Sequence, residues 1–260
     1  MSSSRSSVFL LGANAAAYLV TVATNAFANA AALGGRTTGE ISDSYPTLVA
    51  PAGYVFSIWG VIYVLLLAFV IFQAAPRNRD KPFLRRIGGL FVLSCVANVS
   101  WLFLWHYLQI VLSTVVMFVL LGVLITIYLR LEIGQSDVAL KERLLVHLPL
   151  SVYLGWITVA SITNVAAALT ALGWGGWGLS NVIWTDLVII VALIITLAVI
   201  VTRRDIAYSL VIIWALIGII VKQIGEQSIL ITAGASVIII AITLILSRSG
   251  LLTKALKRPR

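Results

Sequence analysis

PAGYVFSIWGVIYVLLLAFVIFQA, residues 51–74, carries no charged side chain over 24 positions. A helix rising 1.5 Å per residue needs about 20 mainly apolar residues to cross a hydrocarbon layer of about 30 Å. The run is continuously apolar, whereas a membrane barrel strand alternates, so it reads as a transmembrane helix. Working outward, comparable runs occupy about 8–33, 50–75, 87–107, 109–131, 143–172, 179–201, 206–224 and 227–247, separated by short polar breaks. The chain as a whole agrees, with 61% hydrophobic and 10% charged residues and a mean hydropathy of +1.07. A water-soluble surface cannot be assembled from that composition. The expectation is an all-α integral membrane protein of about eight transmembrane helices.

The charges orient it. Of 18 Lys and Arg residues, all but Arg36 and Lys222 lie at the termini or in the breaks around 76–86, 130–143 and 203–205. With eight spans these segments share one side, a split of 16 to 2. The positive-inside rule then puts both termini in the cytoplasm, in the cell membrane, with a basic cytoplasmic tail over 248–260. The net charge of +9 therefore follows from membrane orientation, and nucleic acid is not an expected partner. Arg5, the apolar run from Val8 and the small residues Ala26, Ala28 and Ala30 also fit a cleavable signal peptide; the length of the run and its asparagines oppose that reading. Trp105, Tyr107, Trp174, Trp177 and Trp184 fall near the outer face as an aromatic belt.

Polar groups are costly in lipid unless paired or lining a cavity, so they reveal which helix faces look inward. Asn14, Asn25 and Asn29 lie within about 60° of one another on the first helix. Phe56, Trp59 and Tyr63 share a face of the second. Ser94, Asn98, Trp101 and Trp105 share a face of the third, and Tyr153, Trp156, Ala160 and Asn164 a face of the fifth, after Pro149. Such stripes arise wherever polar and aromatic residues pack helices together. Flat amphipathic side chains with a few hydrogen-bonding groups are also what a pocket for a planar apolar ligand requires.

Three of these stripes resemble a known family. PAGYVFSIWGVIYVLL (51–66) is similar to the second-helix signature of the tryptophan-rich sensory protein and translocator protein family, TspO/MBR, through Pro51, Phe56, Trp59 and Tyr63. VLSCVANVSWLFLW (92–105) resembles its third-helix pattern through Asn98 and Trp101, and PLSVYLGWITVASITN (149–164) its fifth through Pro149, Tyr153, Trp156 and Asn164. The resemblance covers about residues 1–172. It implies a five-helix transmembrane bundle there, followed by three additional helices over 173–247 that have no counterpart in five-helix members. It implies binding of a porphyrin, a sterol-like lipid or another planar apolar molecule, with no required cofactor, porphyrin or haem entering as ligand. The implied ligand-binding residues are Trp59, Tyr63, Asn98, Trp101, Tyr153, Trp156 and Asn164, with Asn25 and Asn29 from the first-helix stripe. The loop over 34–50, with Arg36, Glu40, Asp43, Tyr45 and Pro46, would lid the site; the family's tryptophan-tyrosine pair is not evident in it. Expected partners are membrane lipid, the small apolar or porphyrin ligand, and a second copy in a homodimer.

Little else points to chemistry. His106 and His147 fall near opposite membrane faces and cannot share a metal. No HExxH, phosphate loop or Cys/His cluster occurs, and Cys95 is a lone cysteine in an apolar run. Asp186 is the one acid well inside a predicted helix, where a proton or substrate role and pairing with Lys222 and Glu226 at its level fit the position equally. Leu124, Tyr128 and Arg130 fit a loose sterol-contact pattern, but such patterns arise readily at any inner helix end, and a belt tyrosine with a snorkelling arginine is the better explanation. A ligand-binding sensor or carrier is the leading expectation. A secondary transporter is the alternative, weakened by the absence of an internal repeat. A lipid- or porphyrin-modifying enzyme comes third, because no cluster of intramembrane acids and histidines accompanies the stripes.

Overall fold

A computed structural model describes residues 2–30 and 33–249, with side chains from Val8 onward; most of the expected basic tail, 250–260, lies outside the described residues. Eight long helices follow one another: α1 (Ser2–Asn29), α2 (Ile58–Ala74), α3 (Leu90–His106), α4 (Ile110–Arg130), α5 (Leu148–Ala171), α6 (Asn181–Arg203), α7 (Ile206–Lys222) and α8 (Gln227–Arg248). No strand occurs among the described residues. Six of these segments are long and apolar enough to cross a membrane; α3 and α7, at 17 residues, are shorter apolar helices.

The helix ends differ from expectation where backbone chemistry intervenes. Gly88, at φ 52, separates the short helix Pro82–Ile87 from α3, which begins at Leu90 and not at 87. Residues 53–57 wind as a 3-10 turn, and α2 proper begins at Ile58. The fifth span begins at Leu140, before the expected 143, and passes through a π turn, Arg143–His147, two residues before Pro149, whose ring nitrogen has no hydrogen to donate to the preceding turn.

α5 is the axis of the molecule. Its span is 78% buried, against 22% for the spans of α1, α6 and α8. It packs on α4, α7 and α2, while α3 bridges α1 to α4, and α8 joins α6 to α7. Small residues allow the close approaches. A Cβ on Gly155 would lie 3.0 Å from Val211 Cβ and 3.1 Å from the Tyr208 carbonyl oxygen, so α7 lies against α5 backbone to backbone. The last three helices are thus knit to the first five through α7.

The polar breaks gather at one end of the bundle. Lys81 pairs with Glu142 at 3.4 Å, Arg86 with Glu132 at 3.0 Å, and Gln135 Nε2 donates to the Thr202 carbonyl at 3.1 Å. At the same end the buried Asp205 caps α7 by accepting from the Tyr208 amide, and its other oxygen accepts from Tyr128 OH at 2.9 Å and from Ser151 Oγ. Tyr128 is therefore a buried link between α4 and α7 instead of a belt residue, with the Arg203 guanidinium over its ring.

Candidate ligand site

The four stripes converge. Asn98, fully buried on α3, accepts from Asn25 Nδ2 on α1 at 2.9 Å and donates to Tyr153 OH on α5 at 3.1 Å. Three helices are thereby tied through one amide. One turn further along, Trp101 Nε1 donates to Asn164 Oδ1 at 3.2 Å, and that oxygen also accepts from Ser113 Oγ of α4. The ring planes align with this chain of amides. Tyr63, Trp59, Trp101 and Trp105 form a continuous stack across α2 and α3, with successive centroids 5.7, 5.9 and 6.0 Å apart. Trp156 meets the Trp59 ring edge-on at 6.2 Å, and Phe56 meets Trp156 at 5.7 Å.

A cavity of about 580 Å³ opens in front of this stack, between α1, α2 and the short helix Thr38–Asp43. The sequence-derived residues divide across it. Asn25, Asn29, Trp59 and Tyr63 line the space. Asn98, Trp101, Tyr153, Trp156 and Asn164 do not; they form the packed wall behind, where mutual hydrogen bonds and ring contacts leave no gap for a ligand ring. Residues that the sequence reading passed over complete the lining. Gly53, Ser57 and Gly60 follow one face of the 3-10 turn and α2, and Val22 and Ala26 face them from α1. A Cβ at Gly53 or Gly60 would meet nothing within 4 Å. Spacing of small residues at i, i+4 and i+7 is the signal that was present.

Two buried polar atoms in the aromatic cluster have no hydrogen-bond partner among the described residues, the Tyr63 hydroxyl and the Trp156 indole nitrogen. Tyr63 belongs to the cavity wall, while its hydroxyl is buried and has no accessible surface. A buried orphan of this kind costs about 1–3 kcal/mol if nothing meets it.

The lid is built by a capping box. Thr37 Oγ1 accepts from the Glu40 amide at 3.3 Å, while Glu40 Oε2 accepts from the Thr37 amide at 2.6 Å. That backbone bond, then the Thr37 hydroxyl and the Arg36 charge, holds the Glu40 carboxyl below its ordinary range. The lid helix is anchored at both ends. Trp105 Nε1 donates to the Thr38 carbonyl at 3.2 Å, and Lys222 Nζ at the end of α7 sits 2.6 Å from Asp43 Oδ1. Further α7 contacts hold the following loop: Ala52 N donates to the Gly218 carbonyl, Trp214 Nε1 to the Val55 carbonyl, and Gln223 Nε2 to the Leu48 carbonyl, each at 3.1 Å.

Two expectations fail in this geometry. Trp105 is no belt residue; it is 3% exposed, because its ring extends the stack and its indole nitrogen reaches the lid. Lys222 does not pair with Asp186, since Asp43 lies nearer on the lid, and Asp186 instead accepts from Ser228 Oγ of α8 at 2.5 Å. Tyr107, Trp174, Trp177 and Trp184 do remain at the lid end of the bundle, where the last three rings contact one another with centroids 5.0–5.8 Å apart.

A family model described as TSPO-like protein matches residues 10–246. The chain belongs to the TSPO-like protein family. The match extends over all eight helices, including the three that follow residue 172, and it agrees with the resemblance carried by Trp59, Asn98 and Trp156. No curated protein and no solved structure matches this TSPO-like chain.

Proposed function

We propose that this TSPO-like protein is a membrane-embedded binding protein, a sensor or carrier, for a planar apolar ligand such as a porphyrin or a sterol-like lipid. One observation carries the reading: the Trp59 ring is both a wall of the 580 Å³ cavity and a member of the four-ring stack. Its edge and face are fixed by Tyr63, Trp101 and Trp156 before any ligand arrives, so little ordering is needed on binding. The volume lies in the range of small-molecule pockets. Asn25 and Asn29 supply hydrogen-bonding groups from α1, and Thr37, Thr38, Glu40, Asp43 and Ser57 add a polar rim beside the aromatic wall. Asn98, Tyr153 and Asn164 position the rings from behind and touch no ligand. Arg36, directly before Thr37, supplies a cation for ligand carboxylates at the mouth.

The charge split supports a cell-membrane location with both termini cytoplasmic, and hence a lid and mouth on the outer side. Titrating the purified protein with protoporphyrin should quench tryptophan emission saturably. Gly60→Phe, which fills open space, should weaken that binding by about tenfold or more, equivalent to 1.4 kcal/mol, with helix content unchanged. Unaltered affinity in that variant would remove the cavity as the site.

A further inference from the structure

A second cavity, of about 470 Å³, lies on the opposite side of α5 from the aromatic stack and belongs to no part of the reading above. We propose that it holds one acyl chain of a neutral bilayer lipid, entering sideways from the membrane. The shape comes from how α6 is carried. α6 packs on α8 and α7, leaving its other edge facing α4 and α5 across an open slot. On α5 the floor is Thr158, Ser161, Ile162, Val165, Leu169 and Thr170, one stripe about 18 Å long at 1.5 Å per residue. On α6 the facing wall runs from Asn181 through Thr185, Val188 and Val191 to Ile195, about 21 Å by the same rise. The space is therefore long and parallel to the helices, suited to an extended chain.

Its side opening is apolar and lies within the spans. Phe118 is 50% exposed, Val191 53% and Ile195 41%. What covers these residues must come from the hydrocarbon layer. The polar end lies with the lid, where Thr47, Trp174 and Asn181 line the slot. The Thr158, Ser161, Thr170 and Thr185 hydroxyls each donate to a carbonyl of their own helix, so they add little polarity to the shaft. The Asn181 amide makes no side-chain hydrogen bond among the described residues and is free to meet a hydroxyl or ester. No acidic or basic side chain lines the slot. An ionised head would find no counter-charge, which selects a neutral one.

The test places the full chain in phosphatidylcholine nanodiscs containing a monoacylglycerol with a diazirine on its chain. After photolysis, peptides are mapped by mass spectrometry. Label should be enriched several-fold in 158–170 and 181–195 over the outward α2 residues Val61, Val64 and Ile71. Ala166 also lines the floor, and Ala166→Phe should abolish the enrichment by filling the slot. Val191→Trp, at the exposed mouth, should reduce it without touching the packed interior. A fatty acid carrying the same diazirine chain should label the slot less. Equal labelling of slot and outward faces would overturn the proposal. Equal labelling by the fatty acid would overturn the neutral head.

Discussion

Asn98→Ala is the sharpest test of how the bundle is held. The side chain has no exposed surface and makes two interhelical bonds, accepting from Asn25 at 2.9 Å and donating to Tyr153 at 3.1 Å. Interhelical hydrogen bonds in membrane proteins average about 0.6 kcal/mol and reach about 1.7 kcal/mol. Two of them give about 1–3 kcal/mol, and the two halves are unequal. Asn25 Nδ2 retains its bond to the Thr21 carbonyl at 2.9 Å, so the α1 side loses little. Tyr153 loses its only side-chain partner in a fully buried site, so most of the loss falls between α3 and α5. Reversible unfolding in mixed micelles, followed by circular dichroism, measures the total. A double-mutant cycle with Tyr153→Phe should return a coupling of about 0.5–1.5 kcal/mol, and the cycle with Asn25→Ala a smaller one. If Asn98→Ala changed stability by less than about 0.5 kcal/mol, as surface substitutions do, the amide would not be a tie and the reasoning would fall.

Three further outcomes are expected. Asp205→Ala removes the cap of α7 and the acceptor of Tyr128 and Ser151 together, and should destabilise the protein by about 2–5 kcal/mol in the same unfolding assay. Gly218→Val introduces a side chain where a Cβ already meets Val55 and lies 3.0 Å from Pro51 Cβ; overpacking of about 1–3 kcal/mol should appear as faster hydrogen exchange over residues 51–57, whereas Gly12→Val, with open space around it, should not alter that segment. Glu40 has a depressed folded-state pKa, so its contribution to the lid is complete above the ordinary glutamate value and is lost as pH falls through the lower folded value. Limited proteolysis of 37–43 should accelerate in that acidic window in the parent protein, and Glu40→Gln should flatten the profile; an unchanged profile would dissociate the lid from the capping box.

Parts of the site were legible because they rest on local pattern. Trp59 and Tyr63 had to face inward once residues 51–74 formed a helix, and Asn98 with Trp101 had to share a face of α3. The same pattern could not tell wall from lining. Trp101, Trp156 and Asn164 look identical in sequence to cavity residues, yet the Trp101–Asn164 hydrogen bond and the ring contacts of Trp156 pack them against other helices and leave almost no free surface. Gly60 and Gly53, which make the space, contribute no side chain for a pattern to register. Trp105 reads as an interfacial tryptophan until the lid carbonyl of Thr38 is found beside it.

The apolar run of residues 51–74 and its counterparts sufficed, alone, for a helical membrane protein, because burial of side chains in lipid depends on composition and length within each segment. Tertiary structure decided where the segments meet. α7 is as apolar as its neighbours, and nothing local distinguishes it. Only packing sets Gly155 against its backbone, Asp205 beneath Tyr128 and Ser151, and Lys222 on Asp43. Those contacts are between residues from 53 to 179 positions apart. They fix the lid over one cavity and leave a slot beside α6, neither of which a periodic pattern within one helix can encode.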